Sequence, residues 1–411
     1  MTDLADRLQR LLGAAAAPQP RAAPGPRIDQ AVDGVWRENA EGRCFVAQAR
    51  YALDYRHGDL SLREALEQGP RLLQAAGLPH VDMERLLFID TETTGLGRDV
   101  GTVAFLVGVG GFEGDWFTVR QYFMGDHDDE LALLAELEQE LARRDTLVTF
   151  NGTTFDWPLL ENRYLYNALP APAIQGHLDL LRWSRSLWRN VLPSCALSAL
   201  EPAMLGVRRA QEDVPGYLIP QLYYDYLRTG NAAPLAGVFY HNLMDVVSMA
   251  TLLTRIAATI NTPAERAPEL DDPVAVGRLH ERLGRIDEAL AVYAAAAACG
   301  DAQRAAQAHD HQGLLLKRLG RFEEAAAVWA VQLEGPSPTP TIELAKHLEH
   351  RQRDYAAARE VVQHGLLLVQ AGQIEHPWPD DLLQDLTHRL GRLERRLARA
   401  VGRAQADQES T

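Results

Sequence analysis

An α/β domain with a five-stranded mixed sheet, followed by an all-α repeat domain, is the fold class that this 411-residue chain predicts. Three observations lead there. From Arg85 onward, three closely spaced strand-like runs precede an alternation of helices and strands, the order of an antiparallel meander extended by parallel strands. Acidic residues stand at or just beyond the ends of two apolar strands, where α/β sheets place their ligands. Beyond residue 273 the chain turns Ala-rich and repeats itself at an offset of about 36 residues.

Residues 1–27 hold a short amphipathic stretch over 1–12 and an Ala/Pro linker, AAAAPQPRAAPGPR, at 14–27. Residues 28–84 read as an N-terminal extension packed on the next domain, with RCFVAQARYAL at 43–53 as one strand. The main domain spans 85–260. RLLFID, TVAFLVGVGGF and WFTVRQYFM alternate or run apolar between Gly/Asp turns, which suits a meander. ELALLAELEQELARR at 130–144 has helical periodicity, TLVTF at 146–150 is another strand, and further helices flank a short run near 174–178. NTPAERAPELDDP at 261–273 breaks the pattern before a helical domain at 273–403. There Gly284, Ile286, Ala289 and Tyr293 align with Gly320, Phe322, Ala325 and Trp329, and a third unit at 344–364 keeps Tyr355, Ala358 and Val362 in register. The last helix, about 380–403, carries leucines on one seam and arginines elsewhere, as a cap with a solvated basic face would.

Composition narrows the function classes. A net charge of −15 and a pI near 5.3 argue against a generic polyanion binder, though they leave room for a local groove. Cys44, Cys195 and Cys299 show neither disulfide nor metal-ligand spacing, which fits a reducing compartment. No basic-then-apolar leader and no run of about eighteen apolar residues is present. The expectation is a cytoplasmic protein that does not engage a membrane.

The chemistry is concentrated in LLFIDTETTG at 86–95, FNGTTFDWPLL at 150–160 and HNLMDVV at 241–247. Asp90 and Glu92 alternate on a strand and so project from one face. Asp156 follows a second strand and opens a helix with Pro158 in its first turn. His241 and Asp245, four apart on a third, helical segment, share a face. Burying unpaired carboxylates is costly, so four on convergent segments suggest a hard-cation cage. Two Mg²⁺ or Mn²⁺ ions in such a cage would serve phosphodiester hydrolysis, and the imidazole could accept a proton from the attacking water.

DTETTG at 90–95, Asn151 with Phe155-Asp156, and Asp245 resemble the three motifs of the DEDD superfamily of 3′–5′ exonucleases. The flanking segments GTVAFLVGVGGFEGD, HLDLLRWSR and EDVPGYLIPQLYYDYLRTG are similar to its YprB-like branch. The resemblance covers residues 85–256. It implies a ribonuclease H-like fold followed by tetratricopeptide repeats, metal ligation by Asp90, Glu92, Asp156 and Asp245, and a general base near His241. In the family's histidine type the base stands five residues before the last Asp, and in its tyrosine type four. Here His241 has the tyrosine spacing and Tyr240 the histidine spacing, a rotation of about 100° on a helix. His241 is favoured, because an imidazole titrates nearer neutral pH than a phenol.

The implied activity is metal-dependent exonucleolysis of single-stranded DNA or RNA. On the substrate side stand Thr93, Asn151 as a buttress, and Arg182, Arg185 and Arg189, which share a helix face with Trp183 and Trp188 interleaved. The repeats could hold a protein partner. Two other readings share these residues: a binding scaffold whose nuclease domain is vestigial, and an endonuclease selective for structured junctions.

Overall fold

The computed structural model describes residues 25–95, 101–209, 213–298 and 300–409, without the side chains beyond residue 400. The helix expected over 1–12 and nearly all of the 14–27 linker lie outside them. The chain divides into two compact units, Met1–Arg182 with Ala196–Arg255, and Trp183–Cys195 with Ile256–Thr411. The division therefore falls inside one helix, at 255/256, and assigns 183–195 to the helical unit.

The first unit is built on strands β1 (Gly34–Asn39), β2 (Gly42–Ala52), β5 (Leu86–Thr93), β6 (Ala104–Glu113), β7 (Trp116–Phe123), β8 (Thr146–Thr149) and β9 (Gly176–Asp179), with β3 (Arg56–His57) and β4 (Leu60–Ser61) forming a separate ribbon. The sheet order is β1-β2-β7-β6-β5-β8-β9. The meander β5-β6-β7 is antiparallel, while β8 and β9 run parallel to β5, as the order of runs predicts. The sheet has seven strands, however, where the sequence suggested five. The two extra strands come from the extension: β1 pairs with β2 from Gly34↔Ala47 to Asn39↔Gly42, and β2 pairs with β7. Ala40-Glu41 joins this hairpin without the Asn-Gly or Gly-X pair that announces a two-residue turn, so the sequence hid it. Central strand β5 is apolar on both faces through Ile89, and its buried start fits the parallel pairing with β8.

Helices cover both faces. The Tyr122 hydroxyl donates to Glu140 on helix Glu130–Arg143, whereas the Gln121 amide donates to Asn242 on helix Leu235–Ile260. Successive strand residues point oppositely, so these two helices lie on opposite faces. Helix Leu235–Ile260 comes unusually close. A Cβ at Gly108 would stand 2.1 Å from Asn242 Oδ1, and one at Gly110 would stand 2.5 Å from Val246 Cγ1. This helix is long and apolar enough by composition to cross a membrane, but 72% of its apolar window is buried in the fold, as in a core helix.

The second unit stacks helix pairs: Pro273–Arg282 with Ile286–Ala297, Ala302–Arg318 with Phe322–Val331, and Thr339–His347 with Tyr355–Gln370. The 36-residue repeat has a steric basis. Gly277 lies under the Tyr293 ring and Gly313 under the Trp329 indole, a Cβ at either falling 2.3 and 2.2 Å from the ring. The closing helix Pro379–Glu409 sets Leu382, Leu386 and Leu393 into the last core cluster. Its basic face is only partly solvated: Arg389 and Arg392 donate to the wholly buried Glu349 at 2.8–2.9 Å.

Candidate metal and nuclease site

Strand β5 presents Asp90 and Glu92 toward helix Leu235–Ile260, from the same side as Gly108 and Gln121. The Asn242 amide donates to Asp90 Oδ2 at 2.8 Å and to the Asp90 carbonyl at 3.1 Å, while its own oxygen accepts from Gln121 at 2.8 Å. Asn242 thus locks the Asp90 carboxylate, and Gly108 makes room for it. Asp156 starts helix Asp156–Tyr166, as expected, and accepts from the Thr91 hydroxyl at 2.6 Å. Asp245 projects from the long helix one turn after His241, with His241 Nε2 at 3.7 Å from Asp245 Oδ2.

The four carboxylates feel one another. Burial, then the charges of Asp245 and Asp156, pushes Asp90 well above the usual carboxylate range. Burial, then Asp90, Asp245 and Asp156, does the same to Glu92. Asp156 is raised to about 6, chiefly by burial. Asp245 is also raised by burial, against the opposing pull of Arg209. The sequence-predicted acids therefore lie within electrostatic reach of one another, in a site where burial is the first cause of every upward shift. Hard oxygen donors with a deficit of positive charge suit Mg²⁺ or Mn²⁺. As placed, no three acidic, imidazole or thiol side chains among the described residues stand close enough to chelate one ion.

Arg209 intervenes. Its guanidinium donates to Asp245 Oδ1, to both oxygens of Glu201 at 2.6 and 2.7 Å, and to Asp213 at 3.2 Å. Asp213 in turn takes His241 Nδ1 at 2.7 Å. His241 Nδ1 thus stands between the Asp213 carboxylate and the Arg209 guanidinium, whose Nη1 is 3.2 Å away, and Nε2 is turned toward Asp245. Of the two sequence candidates, His241 stands 3.7 Å from Asp245, and Tyr240 lies within electrostatic reach of Tyr51 and Tyr55.

The residues assigned to substrate divide. The Thr93 hydroxyl donates to the Gly95 carbonyl at 2.7 Å. Asn151 adopts a left-handed φ of 70°, and its side-chain oxygen accepts from Thr154 at 2.8 Å, so it shapes the turn before Asp156 and does not brace an acid. Asp179 anchors that turn, accepting from Asn151 N, Thr153 N and Oγ1 and Leu181 N, the last contact capping the next helix. Arg182, Arg185 and Arg189 are exposed. Trp188 is 1% exposed and belongs to the core, so it offers no stacking face, contrary to the interleaved reading.

Sequence reasoning missed Asp213, Glu201, Asn242 and Gly108, and took Arg209 only for one of the substrate-side cations of the segment 177–209. Gly108 and Gly110, two apart in a strand, were the available signal, since a bare strip on one face invites a closely seated helix. Asp213 sits in a DVPG turn that its own neighbours do not explain.

With this geometry in view, the comparisons fall into place. Residues 87–257 match the model of the RNase_H superfamily. The uncharacterized protein YprB of Bacillus subtilis is 34% identical over 255 residues, 60% of this chain and 61% of that protein. The catalytic subunit of DNA polymerase epsilon from Kluyveromyces lactis is 31% identical over 122 residues, 25% of this chain and 5% of that polymerase chain. The chain thus spans about three fifths of the first relative and one twentieth of the second. The matched segment contains every acid of the quartet together with His241, Asp213 and Arg209, and it folds as an RNase H-like α/β domain.

Proposed function

We propose that the chain is a 3′–5′ exonuclease of the DEDD type, acting on single-stranded DNA or RNA with two Mg²⁺ or Mn²⁺ ions. The observation that carries this reading is that strand β5, the start of helix Asp156–Tyr166 and helix Leu235–Ile260 are tied together by the Thr91–Asp156 and Asn242–Asp90 hydrogen bonds, which brings Asp90, Glu92, Asp156 and Asp245 within electrostatic reach of one another. The RNase H-like domain supports nuclease activity in general. The same four carboxylates would hold the ions, which, when bound, activate water and neutralise the leaving oxygen. His241 takes the proton of the attacking water, and Asp213, 2.7 Å from Nδ1, orients the ring and stabilises the imidazolium that results. Asn242 fixes Asp90, and the Thr91 hydroxyl orients Asp156.

Exposed Arg182, Arg185 and Arg189 supply phosphate contacts for the strand, and the helical repeats, tetratricopeptide-like in their spacing, recruit a protein partner. Substituting Glu at both Arg185 and Arg189 weakens strand binding and flattens its salt dependence by about one to two counterions. Equal binding and slope in wild type and double variant remove these arginines from the path.

The deciding experiment incubates full-length protein with 3′- and 5′-labelled single- and double-stranded DNA and RNA, with Mg²⁺, Mn²⁺ or EDTA. Metal-dependent release of mononucleotides from the 3′ label is expected. Internal cuts at junctions would replace exonuclease by endonuclease, and inertness with both metals would leave a binding scaffold.

A further inference from the structure

We propose that Arg209 is a resident counter-ion of the acidic site, engaging Asp245 until a divalent cation displaces it from that carboxylate. The inference rests on the metal reading above and concerns what occupies the site beforehand.

Arg209 is built in. Its side chain is 11% exposed, and Glu201 grips it side-on through Nε and one terminal nitrogen. Glu201 is itself buried and accepts from the Ser248 hydroxyl at 2.6 Å, while Ser248 lies 2.7 Å from His57 Nε2. The hydroxyl has one proton, given to Glu201, so His57 must donate to it from Nε2. Glu201 belongs to a single five-residue turn, Glu201–Leu205, which the N-terminal extension clamps: Asp59 N donates to the Leu205 carbonyl at 2.8 Å, and a Cβ on Gly58 would fall 2.0 Å from that oxygen. Arg209 is thus tethered from behind, and its free edge meets Asp245 and Asp213.

A guanidinium in this position does two things. It stays charged at any ordinary pH, so it stabilises a site whose other groups are mostly anionic. It also occupies an oxygen of Asp245 that a cation would use. A divalent cation carries twice the charge and can serve several carboxylates at once, so it wins Asp245 when its concentration is high enough. Arg209 keeps its grip on Glu201 throughout. The arginine and the metal therefore compete, and Arg209 sets the metal concentration at which the site assembles.

The test uses full-length protein and Mn²⁺ calorimetry, with thermal melting in EDTA and in Mn²⁺. Arg209→Gln should bind Mn²⁺ about tenfold more tightly than wild type, melt lower in EDTA, and recover more on adding Mn²⁺. Arg209→Lys keeps the charge but cannot hold Glu201 and Asp245 together, so its affinity should fall between the two; it carries the test if the Gln variant does not fold without metal. Wild-type uptake with equal or weaker uptake by the folded variants overturns the competition and leaves the nuclease reading standing. Silence from all three proteins removes the metal reading and the inference with it.

Discussion

The two faces of one sheet bury acids in opposite ways. On the face of helix Glu130–Arg143, Glu113 and Glu140 are matched by Arg120 and Arg144, with contacts of 2.5–3.4 Å and the Tyr122 hydroxyl donating to Glu140. Burial would raise Glu113, yet its arginine partners hold it down at about 2. On the face of helix Leu235–Ile260, Arg209 contacts Asp245 alone of the quartet and is also claimed by Glu201 and Asp213, and burial drives all four acids upward. Equal numbers of buried charges make a structural network, whereas a deficit marks a place where an external cation belongs.

The largest effects should come from removing one acid on each side. Asp90→Asn should cut metal-dependent hydrolysis by about a thousandfold, while the metal-free protein melts no lower than wild type, because an uncompensated charge is gone. Glu140→Gln should do the reverse. It leaves activity near normal but costs about 3 kcal/mol, since Arg144 and Arg120 lose a buried partner. Chemical denaturation and rate assays on both variants give the crossed pattern. An Asp90→Asn protein as destabilised as Glu140→Gln would show that the quartet is ordinary scaffolding.

The asymmetry also fixes a pH signature. Asp156, at about 6 in the folded protein, starts near 3.9 when unfolded, so between those values the native state binds more protons. Stability attributable to this group therefore falls as pH rises from about 4 to 6, and stays lost above. Glu113 behaves oppositely: its contribution is full above about 4.5 and disappears as pH falls toward 2. In EDTA, Asp156→Asn should gain on wild type in melting temperature across the upper window. A difference that stays flat from pH 4 to 6 would show that Asp156 is not strained. Mn²⁺ binds the ionised form, so its stabilising effect should grow over the same range.

What the sequence revealed and what it concealed follow the same physics. Asp90, Glu92, Asp156 and Asp245 were legible because carboxylates beside apolar strands need a reason, and strand and helix periodicities say which way they point. The repeat was legible through Gly284, Ala289 and Tyr293 recurring as Gly320, Ala325 and Trp329, and the structure adds Gly277 under Tyr293 and Gly313 under Trp329. Arg209 was not, because a guanidinium reached through a loop has no periodicity to place it. The β1–β2 hairpin was hidden by an unmarked turn, and Trp188 was misread because amphipathic spacing alone does not say which ring is inside. Long-range pairing, such as the 152-residue span from Asn242 to Asp90, is set by tertiary packing.

The His241 neighbourhood offers the finest discrimination, since one helical turn separates two candidate bases. His241→Ala should lose about a hundredfold in rate and the ionisation assigned to the base in its pH profile. Asp213→Asn should lose about tenfold: a neutral amide still orients the ring but no longer stabilises the imidazolium. Tyr240→Phe should change little, because His241 stands beside Asp245 and supplies the base. If Tyr240→Phe proved slower than Asp213→Asn, the helix would have to be rotated by about 100° in the working enzyme. Asn242 would then be turned off Asp90 and out of the space that Gly108 leaves for it, so the same rotation would dismantle the acidic site it was meant to serve.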